Sequence, residues 1–191
     1  MRSPLDGPLR GFRSPFGVVS VAAVPAFVST WETSNTSTGS STSTQIALPL
    51  TSAGTYAFDV DWGDGSSDTI TVWDQAETTH TYASAGEYEV RITGTIEGWR
   101  FNNGGDKLKI LAAVGGGILN PGSDNGQFYG CSNMASLSGL VTAGVTDMAV
   151  MFRDCSGLTA LDVTGFNTSS VSSMAFMFNG CSGLTALDVT G

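Results

Sequence analysis

The sequence predicts a mainly β protein: a small β-sandwich followed by a short solenoid in which each repeat supplies a strand and a short helix. Three observations point there. Charged residues make up only 13% of the chain while Ser, Thr and Gly are abundant, which suits a β-rich, turn-rich surface protein better than a helical enzyme. Residues 27–97 fall into short alternating runs divided by turn residues. Residues 101–191 repeat themselves every 24 to 26 positions. A chain of 191 residues has room for one medium domain or two small ones, and it divides here into a leader (1–26), a sandwich (27–100) and repeats (101–191).

The leader reads in two ways. Arg2, Arg10 and Arg13 precede the apolar run "FGVVSVAAVPAF", and "VPA" ending at Ala26 has the small residues of a signal cleavage site. Against a signal peptide, Pro15 and Pro25 bracket the run, and "SPLDG" and "SPFGV" look like a repeated Ser-Pro linker. No apolar run reaches the roughly 18 to 20 residues of a membrane span, so no transmembrane span is expected. Net charge is −9, and no Lys or Arg lies between Ser14 and Val90 while nine Asp and Glu do. Such a segment repels phosphate backbones and anionic membranes, which excludes nucleic acid as an expected partner.

In the sandwich segment, "FVSTW" reads as a strand and "ETSNTSTGSSTSTQ" as a flexible polar tether that buries little apolar surface. Then come "IALPL", "TYAFDVDW", "DTITVW", "THTY" and "EYEVRITGTI", each short and bounded by turn residues. Phe58, Val60 and Trp62 share one face, with Ala57, Asp59 and Asp61 on the other. Tyr88, Val90 and Ile92 alternate against Glu87, Glu89 and Arg91 in the same way.

In the repeat segment, "CSGLTALDVTG" recurs letter for letter 26 residues on. The leading apolar positions Leu108, Met134, Leu158 and Leu184 are 26, 24 and 26 apart and mark four copies. Leu161 and Val163 face one side of a short strand. Met148, Met151, Phe152 and Cys155 stand at i, i+3, i+4 and i+7, the stripe of a short helix, repeated by Met174, Met177, Phe178 and Cys181. Each copy must bury its stripe against its neighbours. Cys131, Cys155 and Cys181 then hold one equivalent position, as a ladder of small buried hydrophobes.

Two family resemblances follow from these residues. "DVDWGDGSSDT" followed by "THTYASAGEYEV" resembles the polycystic-kidney-disease (PKD) repeat, through Trp62, Gly63, Asp64, Gly65 and Ser66, then His80, Tyr82, Gly86, Tyr88 and Val90. Ala85 departs from that pattern, where Pro is usual. Met148 to Val171 is similar to the BspA-type leucine-rich repeats of bacterial surface proteins, M-x-x-M-F-x-x-C-x-x-L-x-x-L-D-V, and Met174 to Gly191 begins the phrase again. The resemblances imply a PKD/Ig-like sandwich presenting leucine-rich repeats at a cell surface or in secretion, and neither implies a reaction.

The aspartates Asp59, Asp61 and Asp64 are the strongest candidates for chemistry, and weak calcium binding is the chemistry they would support. They do not follow the D-x-[DN]-x-[DN]-G phrase, and Asp64-Gly65 reads as hairpin turn chemistry. His80, the single histidine, has no nucleophile elbow to serve and reads as a structural hydrogen-bonding residue. "GGDKLK" lacks the spacing of a phosphate loop. The sequence therefore assigns no catalytic, cofactor-binding or metal-binding residues and no cofactor. It predicts a non-enzymatic extracellular module that binds a protein or glycan partner through the repeat face, where "TALDVTG" recurs. The alternative is a carbohydrate- or calcium-binding accessory domain of a larger secreted hydrolase. The last copy stops at "LDVTG", so a truncated array with an exposed apolar end is also expected.

Overall fold

The computed structural model describes residues 24–187. The predicted leader falls almost wholly outside the described residues, as do positions 188–191. The strands are β1 (Phe27–Glu32), β2 (Gln45–Ala47), β3 (Leu50–Asp61), β4 (Ser67–Ile70), β5 (Thr79–Thr81), β6 (Glu87–Trp99), β7 (Ile110–Val114), β8 (Leu119–Asn120), β9 (Ser136–Ser138) and β10 (Ala160–Leu161). The fold is mainly β, as expected, and one 3-10 turn at Ala76–Thr78 is the only helical element among the described residues.

One eight-stranded mixed sheet runs β10-β9-β7-β1-β6-β3-β4, with β8 added beside β6. The alternation read from the sequence sets its buried face. Phe27, Ser29 and Trp31 of β1, Tyr56, Phe58 and Val60 of β3, and Val90, Ile92 and Ile96 of β6 all point into the core. The small β2-β5 sheet lies apart from it, with Ile46 opposite His80. Gly94, opposite Phe58, has φ +121. A Cβ there would run into the Ala57 carbonyl and Phe58, so only glycine lets β3 and β6 close at that point.

The sheet does not stop at the end of the sandwich segment. Val28 of β1 pairs antiparallel with Val114 of β7, the strand of the first repeat copy. β7, β9 and β10 then pair in parallel, Ala112 with Ser136 and Ser136 with Ala160. The core is continuous as well. Phe27 and Trp31 pack edge-on against Trp99, Trp99 against Phe101, and Phe101 against Phe128 at 6.3 Å. Phe128, Phe152 and Phe178 continue the column with centroids 5.7 Å apart and interplanar angles of 14° and 5°.

The helix expected from the Met148, Met151, Phe152 and Cys155 stripe is not formed. Here amides alternate between two kinds of acceptor. Met148, Val150, Phe152 and Asp154 donate to Ser173, Ala175, Met177 and Asn179 of the next copy, at 2.8 to 3.0 Å. Met151, Arg153 and Cys155 donate three residues back within their own copy. An α-helix would send every amide to its own i−4 carbonyl and leave none for the neighbour. Residues in the left-handed region break the helix at equivalent places: Gly126, Val150 and Phe176, then Gly130, Asp154 and Gly180. The apolar stripe is nevertheless buried as predicted, with Met148, Met151, Phe152 and Cys155 at 0% exposure.

Two smaller expectations also fail. The strand predicted through Trp73 ends at Ile70, because Gln75 Oε1 accepts from the amides of Thr71 and Val72 and turns the chain outward. The polar segment 32–45 is no free tether, since buried charges from the first repeat copy pin it down.

Candidate binding surface

That pin is Lys109 with Asp106, both side chains at 0% exposure and 3.4 Å apart. Asp106 accepts from the Ser41 amide (2.7 Å), the Ser41 hydroxyl (2.6 Å) and the Ala47 amide (2.7 Å). Lys109 Nζ donates to the carbonyls of Ser41 (3.2 Å), Thr42 (2.8 Å) and Gln45 (2.8 Å) and to the Ser41 hydroxyl (2.7 Å). Burial lowers the Lys109 pKa, and the Asp106 charge opposes that shift. Sequence reading passed over these residues inside "GGDKLK"; their i, i+3 spacing was the available signal.

The aspartate-rich turn is tied together by its own side chains. Trp62 is buried, its indole N–H donates to Asp68 (2.8 Å), and His80 stacks on it at 4.8 Å and 10°. Tyr82, edge-on to His80, donates its hydroxyl to the Trp62 carbonyl (3.0 Å). Burial raises the Tyr82 pKa. Each candidate carboxylate has local donors. Thr69 donates to Asp59 (2.6 Å), the Gly63 amide to Asp61 (2.9 Å), and the Ser66 amide and hydroxyl to Asp64 (2.9 and 2.6 Å). His80 Nε2 lies 2.9 Å from Asp64. The Ser66 hydroxyl, aided by His80, holds the Asp64 carboxyl at about 2. Among the described residues, no three His, Cys, Asp or Glu side chains converge as metal ligands would.

The cysteines stand at equivalent positions as expected, Cys131 and Cys155 buried and Cys181 only partly so, with one feature the sequence does not reveal. Cys155 Sγ donates to the Phe128 carbonyl (3.0 Å) and Cys181 Sγ to that of Phe152 (2.9 Å), so each thiol bonds back to the preceding copy. Burial pushes the Cys131 thiol well up and that of Cys155 to about 12, which keeps both protonated and unreactive.

The repeat strands build a shallow groove of about 410 Å³, lined by Val114, Ser136, Ser138, Thr159, Ala160 and Asp162 among others. Parallel pairing puts these small side chains in rows across β7, β9 and β10. Much of the polarity is used locally: Thr159 donates to the Ala135 carbonyl, and Asp162 accepts from the Thr164 amide and hydroxyl, which lowers its pKa. The remaining surface is flat and mixes methyl and hydroxyl groups. A second concavity, about 330 Å³, lies where the β3–β6 sheet meets the repeat loops, with Glu97, Asn120 and Asp124 on its wall. Among the described residues, no helix is long and apolar enough to cross a membrane.

Residues 125–190 match a family described as "Mycoplasma protein of unknown function, DUF285". The match begins where the second copy of the column starts and covers less than half of the chain. The chain is also similar to Collagenase ColA of Clostridium perfringens (strain 13 / Type A), 28% identical over 91 residues. That alignment takes in 48% of this chain and 8% of ColA, so the chain corresponds to a small part of that protein. No solved structure matches the chain.

Proposed function

We propose that the protein is a non-enzymatic interaction module, displayed outside the cell, that binds a protein or glycan partner along its repeat strands. In this reading the N-terminal part is a PKD-like sandwich and the C-terminal part a short BspA-type solenoid. The observation that carries the proposal is the parallel ladder β7-β9-β10, which grows by one row of small, solvent-facing side chains per copy. A row of that kind offers many shallow contacts and gains avidity with each added copy. The family matched by residues 125–190, DUF285, is described as of unknown function and assigns no role to these repeats.

The test is binding of the purified chain to arrays of extracellular proteins and glycans, repeated with Ser138→Arg and Ala160→Arg. These substitutions plant long cations on the row and leave the core untouched. A ligand held by the native chain and lost about tenfold or more by both variants supports the repeat face. Undiminished binding by both variants rejects it.

A second reading rests on the ColA similarity: an accessory carbohydrate- or calcium-binding domain of a larger secreted hydrolase. Calorimetric titration with millimolar calcium separates the two. Heat that disappears in Asp61→Asn favours the accessory domain, and the absence of heat leaves the interaction module.

A further inference from the structure

The outward face of the large sheet runs from the repeats onto the sandwich without a break, and the strand registers set its side chains in rows. One row reads Asp162, Ser138, Val114, Val28 and Arg91. Asp162 follows β10 in the same register, its amide bonded to the Leu137 carbonyl. The neighbouring row reads Ala160, Ser136, Ala112, Thr30 and Glu89 across β10, β9, β7, β1 and β6. The alternate residues Leu137, Ala113, Ser29 and Val90 are buried, so both rows face solvent, with Val114 52% exposed.

The charges of this face stand at its two sides. Arg91 and Glu89 lie on one side and Asp162 on the other, and between them both rows are uncharged. Arg91 makes no ion pair among the described residues. Its guanidinium reaches the Val24 carbonyl at 3.5 Å, while Asp61, opposite it on β3, accepts from the Gly63 amide. Asp162 takes the Thr164 amide and hydroxyl on one carboxylate oxygen and turns the other to solvent.

Val114 stands midway along its row. Asp162 lies two strands away on one side and Arg91 two strands away on the other, about 10 Å each way at ~4.8 Å per strand. A two-fold axis along β7 therefore turns the row onto itself with its charges crossed. Asp162 meets Arg91 of a second copy, Ser138 meets Val28, and Val114 meets its own counterpart. The other row closes in the same way, Ser136 on Thr30, Ala112 on Ala112 and Glu89 on the uncharged Ala160. Neither row sets like charges against each other.

We infer that this outward face is self-complementary and that its partner is a second copy of this chain, packed face to face about a two-fold axis along β7. The inference rests on the reading of the repeat strands as the binding surface, and it extends that surface onto β1 and β6 of the sandwich. A pairing of this kind uses each contact twice. The uncharged middle costs little to dehydrate, and the crossed charges at the sides fix the register. Neither row holds an aromatic side chain on which a sugar ring would stack. Two rows bury a small area, so the association is weak and gains strength where many copies are displayed together.

Sedimentation velocity of the full chain in low salt, from about 10 µM to 1 mM, tests the pairing. The native chain should self-associate reversibly. Arg91→Asp alone and Asp162→Arg alone should each weaken that association about tenfold or more. An equimolar mixture of the two variants should restore it, because each then presents the charges the other lacks. Misfolded variants would not recover on mixing. Three results overturn the inference: a native chain that stays monomeric throughout, undiminished association in both single variants, or a mixture no tighter than its components. If the chain stays monomeric yet binds an array ligand that Ser138→Arg loses, the repeat-face reading stands and the second copy is rejected as its partner.

Discussion

Lys109 is a fully buried charge whose loss should be felt strongly. Its ammonium is the shared donor of three carbonyls, a hydroxyl and a carboxylate, all drawn from the bend of segment 32–45 and the first copy. Replacing it with Met leaves the Asp106 charge buried beside carbonyls that have lost their donor. The expected loss is about 3 kcal/mol, read from urea unfolding, with segment 32–45 becoming open to limited proteolysis. Asp64 contributes less and depends on pH. Its folded pKa of about 2 lies below the ordinary carboxylate value, so its stabilisation is fully present above the unfolded value near ~4 and fades as pH falls towards 2. Because Asp64 is solvent-exposed, screening leaves about 1 kcal/mol at neutral pH. Asp64→Asn should flatten the fall in urea midpoint between pH 4 and 2; an unaltered acid limb would exclude the role. The turn motif was legible because Trp62, Gly65, His80 and Tyr82 each have a strong local preference. Lys109 was not, because a lysine's charge predicts solvent even beside Asp106, and the Ser41, Thr42 and Gln45 carbonyls that hold it buried lie 64 to 68 residues away.

Within the elements, the inward side chains of β1 and β3 and of the Met148–Cys155 stripe were named correctly, whereas Met174 of the next stripe is 46% exposed. The backbone between the stripe residues was named wrongly. Alternation in β1, β3 and β6 was readable because strand geometry ties each side chain's face to its parity. A spacing of i, i+3, i+4, i+7 is less decisive. It marks which residues are buried, and both a helix and a turn with left-handed residues can present that stripe inward. What decides between them is where the amides find acceptors, and those acceptors sit 23 to 25 residues on, beyond any local pattern. A prediction follows at Val150. A β-branched residue at φ 52° is strained by roughly 1–2 kcal/mol, while Gly126 holds the equivalent place without strain. After the extra unfolded-state entropy of glycine is subtracted, Val150→Gly should stabilise by about 0.5 kcal/mol. Gly126→Val should destabilise by about 1–2 kcal/mol. Paired thermal melts measure both, and a destabilised Val150→Gly would mean that the valine side chain's packing outweighs its backbone strain.

For the whole molecule, the central feature is that sandwich strands and repeat strands belong to one sheet and one aromatic column. β1 covers the side of β7 that would otherwise be an open edge, so the sandwich closes one end of the repeats. The sequence showed two textures and suggested two units. The β1-β7 pairing joins positions about 85 residues apart, and no local signal encodes it. Unfolding should accordingly be a single transition. The four tryptophans, all at or before position 99, report on the sandwich, and the methyl signals of Met148 and Met151 report on the repeats. Coincident midpoints are expected, and an earlier loss of the methionine signals would show the copies melting independently. The alternating amide bonds also determine how the protein responds to being pulled. They run along the stacking direction, so tension on the far end opens one copy's bonds before the next copy's are loaded. Each opening lets out 24 to 26 residues, about 80–90 Å of extended chain at ~3.4 Å per residue. The longer antiparallel ladders of β3, β6 and β1 stay behind as the anchor. A stretched repeat array of this design yields in steps of fixed length, like a strap that lengthens under load while its buckle holds.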